Sequence, residues 1–160
     1  MARIARALPI ALLVVVFAGL FFLPASAGKT LVPVSWTVAG FEVGTERVWT
    51  SVENGVEIRH SRGIEVFATI FGDFEGLTTV IMASDIVVAT GDGTHRGTLT
   101  LETADGTLGG QFRGTTDGAL LAGTWNGNQG TGVFAKMQIK ASYTGTAYTF
   151  LELSFSGFLS

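Results

Sequence analysis

The chain has 160 residues, a formal net charge of -3, 47% hydrophobic residues, 22 glycines, 3 prolines and no cysteine. The lack of cysteine excludes disulfides, thiolate-bound zinc, a thiol nucleophile and a lipidated-cysteine anchor. From Gly28 onward eight basic residues face thirteen acidic ones, so the domain has no electrostatic reason to hold a nucleic-acid backbone.

The first segment reads as a targeting signal. Arg3 and Arg6 give a positive start, Ala7 to Leu23 is almost wholly apolar, Pro24 breaks any helix, and Ala25-Ser26-Ala27 is a small-x-small cleavage pattern. The apolar run, about 17 residues, is at the short limit for crossing a bilayer. Residues 1–27 are therefore expected to be a signal peptide cleaved after Ala27, and residues 28–160 a single domain, secreted or periplasmic. Contact with the membrane is expected only through the signal segment before cleavage.

Beyond Gly28 the apolar residues recur with a period of two, which predicts strands rather than helices. Ile64, Val66, Ala68 and Ile70 share one face, and Leu77, Thr79, Ile81 and Ala83 another. Val133, Ala135, Met137, Ile139 and Ala141 alternate with Phe134, Lys136, Gln138 and Lys140, and Leu151, Leu153 and Phe155 make the last strand. Turn signals stand at Asn54-Gly55, Asp92-Gly93, Asp105-Gly106, Asp117-Gly118 and Asn126-Gly127. The expected strands are 33–40, 46–52, 56–71, 75–84, 95–103, 107–115, 119–126, 131–143 and 147–158. Such a meander leaves two exposed edges unless the sheet closes. The expected fold is thus all-β: a single antiparallel β-barrel of about eight strands, with a two-sheet sandwich as the alternative. Gly130-Thr131-Gly132 is expected to be a structural turn sensitive to alanine, Gly132 more so than Gly145.

A family resemblance follows from the motifs of the C-terminal two-thirds. These are Phe71-Gly-Asp-Phe-Glu-Gly-Leu-Thr-Thr79, Gly97-Thr-Leu-Thr-Leu101, Gly110-Gln-Phe-Arg-Gly-Thr115, Gly123-Thr-Trp125, Gly130-Thr-Gly-Val-Phe134 and Ser156-Gly-Phe-Leu159. In this order they resemble the allene oxide cyclase-like barrel superfamily, which includes dirigent proteins and a bacterial group of unknown function. The resemblance implies a barrel. It carries no catalytic residue onto this chain, because its motifs are structural glycines and core aromatics. Asp117-Gly-Ala-Leu-Leu-Ala-Gly-Thr-Trp-Asn126 is also similar to fragments of avidin-like biotin binders, but the rest of that biotin site is missing.

Few constellations carry chemistry. His60 and His95 lack metal-ligand spacing, so no metal and no cofactor is expected. Each acidic turn residue is followed directly by glycine, unlike a calcium loop. No Gly-x-Ser-x-Gly elbow announces a serine nucleophile. Arg59, with Glu57, His60 and Glu65, Arg113 beside Phe112, and Glu152 lie within strands. Outward, each is a solvated side chain; inward, an Arg113–Glu152 or Arg59–Glu65 pair would mark a pocket. Trp125, Tyr143, Tyr148 and Phe112 could line it, or serve as ordinary core aromatics. The candidate ligand-binding residues are Arg59, Phe112, Arg113, Trp125, Tyr143, Tyr148 and Glu152. The expected function is non-catalytic binding of a small hydrophobic ligand in the barrel mouth. The alternatives are a cyclase- or isomerase-like enzyme that preorganises an apolar substrate, and a structural barrel that forms homo-oligomers through its outer face.

Overall fold

The computed structural model describes residues 30–147 and 150–160; the expected signal segment and Tyr148 lie outside the described residues. Eight strands follow one another: β1 (Val32–Glu53), β2 (Val56–Gly72), β3 (Gly76–Val87), β4 (Gly93–Thr103), β5 (Gly106–Asp117), β6 (Leu120–Gly130), β7 (Ile139–Ala147) and β8 (Leu151–Leu159). Every strand pairs antiparallel with its sequence neighbours, and β1 pairs with β8, so the sheet closes into a barrel. The expected all-β barrel is what forms, not the sandwich.

Closure is incomplete along β1. Its pairing with β8 runs from Val32↔Leu159 to Gly40↔Leu151, and beyond Gly40 only β2 pairs with it. The β1–β2 hairpin therefore continues past the β8 contact as an arm with one open edge. The stretches expected at 33–40 and 46–52 are a single strand. A bulge between Glu42 and Gly44 absorbs the irregular middle without ending the ladder. The arm turns at Asn54 and Gly55, at φ 52° and 81°, the positive angles a two-residue hairpin requires.

Two sequence expectations fail for packing reasons. Asn126-Gly127 is no turn: it lies within β6, where a side chain on Gly127 would run into the Trp125 indole. The strand expected over 131–143 begins only at Ile139, because Gly132–Phe134 forms a 3-10 turn. Phe134 points inward and meets Phe74 edge-on at 5.9 Å, while Val133 is 55% exposed. Burying a phenylalanine is worth about 1.5–3 kcal/mol, enough to override a local alternation. From Ile139 the alternation returns, with Ile139, Ala141 and Tyr143 buried and Lys140 and Ser142 exposed.

The interior is filled from the end where β1 begins and β8 finishes. Trp36 stacks on Phe155 at 4.8 Å and meets Phe74 and Trp125 edge-on at 5.3 and 5.7 Å. Leu99, Leu101, Leu108 and Ile139, each at most 2% exposed, pack around this aromatic plug.

Candidate functional site

At the opposite end the interior becomes polar. His95, Gly114, Gly123 and Tyr143 lie in one register line across β4 to β7. The two glycines leave room for Tyr143 Oη to reach His95 Nε2 at 2.7 Å, and His95 Nδ1 lies 3.2 Å from Thr116 Oγ1. Burial pushes the Tyr143 hydroxyl far above its ordinary pKa and lowers that of His95. Tyr143 thus donates to a neutral His95, whose Nδ1–H donates to Thr116. Below this layer, among Val80, Leu99, Phe112, Leu121 and Phe155, the remaining gap is about 10 Å³, room for about one water.

The candidate residues do not form one site. Phe112, Trp125 and Tyr143 are buried inside the barrel, whereas Arg59, Arg113 and Glu152 are exposed. Arg113 stands opposite Arg96 and Thr124, and Glu152 opposite Ala39 and Thr146. Neither the Arg113–Glu152 nor the Arg59–Glu65 pair forms: among the described residues the ion pairs are those of Asp85 with His60 and Arg62. The inward-pair alternative therefore falls: strand parity turns Glu65, Arg113 and Glu152 outward, and Arg59, which shares the parity of the buried Ser61, stands exposed on the arm.

That outer face carries the polar constellation. Arg47 stands directly opposite Arg62 on β1 and β2, and Arg96 opposite Arg113 on β4 and β5. Asp85 on β3 lies between the two pairs. An open groove of about 720 Å³ runs beside Asp85, Thr94, Arg96, Arg113, Thr115 and Thr124. The groove is floored by small side chains and backbone, so the arginines form its walls.

Asp85 organises the β1–β3 end of this face. Its Oδ1 accepts from Arg62 Nη2 and from His60 Nδ1, both at 2.7 Å. Burial raises its pKa, but the hydrogen bonds and charges of His60 and Arg62 outweigh this and hold it below the ordinary carboxylate value. An ionised Asp85 can only accept, so His60 carries a proton on Nδ1, and in the neutral imidazole Nε2 is the acceptor. That nitrogen lies 2.8 Å from Ser51 Oγ. Trp49 stacks on the imidazole at 4.9 Å, with Arg47 Cζ 4.5 Å and Arg62 Cζ 5.2 Å from the Trp49 ring.

Ser51, Trp49 and Asp85 escaped the sequence reading, because they are joined only by register. One signal was available. A two-residue turn at Asn54-Gly55 pairs Trp49 with His60, which places Ser51 diagonally beside the imidazole. No comparable signal brings in Asp85, since β2 carries a bulge between Ser61 and Ile64.

No family model and no curated relative matches the chain. Among the described residues no group of three or more His, Asp or Glu side chains could hold a metal ion.

Proposed function

We propose that the protein is an exported β-barrel binding module that holds an anionic chain, bearing carboxylate, sulfate or phosphate groups, on the outer face of β1–β5. The observation that carries this reading is the placing of four arginines in two directly opposed pairs around one carboxylate, Asp85. Like charges facing each other across strands repel, and an anionic ligand relieves that repulsion. At about 4.8 Å per strand the two pairs are about 14 Å apart, which suits a ligand with repeated charges. Arg96 and Arg113 have no carboxylate within salt-bridge distance among the described residues, so their donors face the groove.

The interior supports an outer rather than an inner ligand. Pockets for small apolar molecules measure about 300–1,000 Å³, against about 10 Å³ here. A cyclase-like reaction on an apolar substrate would need the same missing chamber.

Retention on immobilised heparin, a sulfated and carboxylated polysaccharide, tests the reading. The chain from Gly28 onward should be retained at low salt despite its net negative charge, and Arg96→Gln/Arg113→Gln should elute at clearly lower salt. Lys136→Gln/Lys140→Gln should elute as the parent does. Flow-through of the parent, or co-elution of the arginine variant with it, would overturn the proposal.

A further inference from the structure

The hydrogen-bonded chain Ser51 Oγ···His60 Nε2, His60 Nδ1···Asp85 Oδ1, at 2.8 and 2.7 Å, has the connectivity of a nucleophile, a general base and the group that orients the base. We propose that Ser51 is the nucleophile of a hydrolytic site for carboxylic esters, with His60 as its base and Asp85 as the residue that positions His60. This inference goes beyond the binding reading and does not rest on it.

Three features prepare the chain for the reaction. Asp85 fixes the tautomer of the neutral His60 ring, so Nε2 is the nitrogen that faces the serine. Trp49, stacked on the imidazole, holds the ring plane, and the His60 side chain is only 13% exposed. Ser51 lies on the part of β1 that lacks a second partner strand, so an ester can approach from the open edge. The Ser51 hydroxyl has a competing acceptor in Glu53 Oε1 at 3.3 Å, longer than the contact to His60.

The chemistry balances with water as the only co-reactant. Ser51 Oγ bonds to the ester carbonyl carbon while its proton passes to His60 Nε2. The carbon–alkoxide bond then breaks, and the alcohol departs with that proton. Water attacks the acyl-serine, giving a proton to His60. The acyl–Oγ bond breaks, the carboxylic acid leaves, and Ser51 recovers its proton. Arg62 is engaged by the Ser61 and Ser84 carbonyls and by Asp85. Arg47, whose guanidinium lies over the Trp49 ring, has no carboxylate within salt-bridge distance among the described residues.

A fluorophosphonate probe, which phosphonylates activated serines, tests this without relying on background ester hydrolysis by exposed histidines. Peptide mass spectrometry of the native chain from Gly28 onward should find the adduct on Ser51, and none after unfolding in urea. His60→Gln should slow labelling by about 100-fold or more, the scale of a lost general base. Asp85→Asn should slow it strongly and Asp85→Glu should restore part of the rate, with all three variants keeping the parent's circular dichroism spectrum. Absence of native Ser51 labelling, or equal labelling of native and urea-unfolded protein, would overturn the proposal whether or not the variants fold. Equal labelling of folded His60→Gln would do the same. Loss of heparin retention with Ser51 labelling intact would remove the binding reading and leave this one.

Discussion

Tyr143 reaches across two intervening strands to place its hydroxyl 2.7 Å from His95 Nε2, inside the polar end of the barrel. The contact exists because Gly114 and Gly123 lie on the line between them. A methyl group at Gly114 would sit 2.6 Å from Tyr143 Oη and 2.7 Å from His95 Nε2. Glycine is required here for space, and the hydrogen bond in turn satisfies two buried polar groups.

Tyr143→Phe leaves His95 Nε2 buried without a donor. It should lower stability by about 1–3 kcal/mol. Gly114→Ala should cost at least as much, because the methyl would strike the Ala122 carbonyl oxygen as well as displace the ring. Urea denaturation monitored by tryptophan fluorescence measures both. An unchanged midpoint for either would mean that this layer is loosely packed.

The same pair predicts an acid sensitivity. Burial lowers the His95 pKa below its unfolded value of 6.5. The unfolded chain therefore binds a proton more readily, and stability present above about pH 6.5 is lost as the pH falls toward the folded value. A protonated His95 would also point a donor at the Tyr143 hydroxyl. His95→Gln should flatten this fall between pH 7 and pH 5, as followed by thermal midpoints. A parent protein equally stable at both values would contradict the assignment.

Asp85 adds a separate loss at lower pH. Its folded pKa lies below the ordinary 3.8, so its contribution is present above that value and disappears as the pH falls through the folded one. The group is partly exposed, so Asp85→Asn should change stability by only about 0–1 kcal/mol at neutral pH. A larger loss, measured by urea denaturation, would mean that the His60–Asp85–Arg62 cluster holds the fold together.

The glycine turn before β7 behaves in part as the sequence suggests. Gly132 has φ +58°, and an added side chain would collide with the Asp105 carbonyl oxygen. Gly132→Ala should cost about 1 kcal/mol or more. The looser role expected for Gly145 is wrong. It sits within the β7–β8 ladder, where a methyl would strike the Glu152 carbonyl and approach Leu153 Cα to 2.8 Å. Gly145→Ala should therefore be at least as damaging by the same denaturation assay.

The barrel was legible where local chemistry and tertiary demand agree. Period-two alternation marked β2 and β8, and Asn54-Gly55 marked the arm's turn; in β3 it marked the strand but not its inner face, since Leu77 and Ile81 are exposed while Thr78 and Val80 are buried. It was illegible where a distant group intervened. Phe134 leaves its alternation to meet Phe74, which belongs to the β2–β3 connection. Gly127 imitates a turn signal because Trp125 needs its space. The site suffered more, since strand parity separates Phe112, Trp125 and Tyr143 on the inside from Arg113 and Glu152 on the outside, and Arg59 lies on the arm beyond the barrel. A bulge can reset that parity, as those in β1 and β2 do, and the sequence marks neither plainly.

On the proposed reading the barrel binds through its outer face, and the gap beneath the His95–Tyr143 layer is only about 10 Å³. Nuclear magnetic resonance of isotope-labelled protein from Gly28 onward tests this most directly, with heparin oligosaccharide added to one sample and an apolar dye to another. The oligosaccharide should shift the amides of Arg47, Arg62, Thr94, Arg96, Arg113 and Thr115, while the methyls of Leu99, Leu121 and Leu153 stay in place in both samples. Saturable movement of those interior methyls with the dye, and still outer amides with the oligosaccharide, would contradict the account.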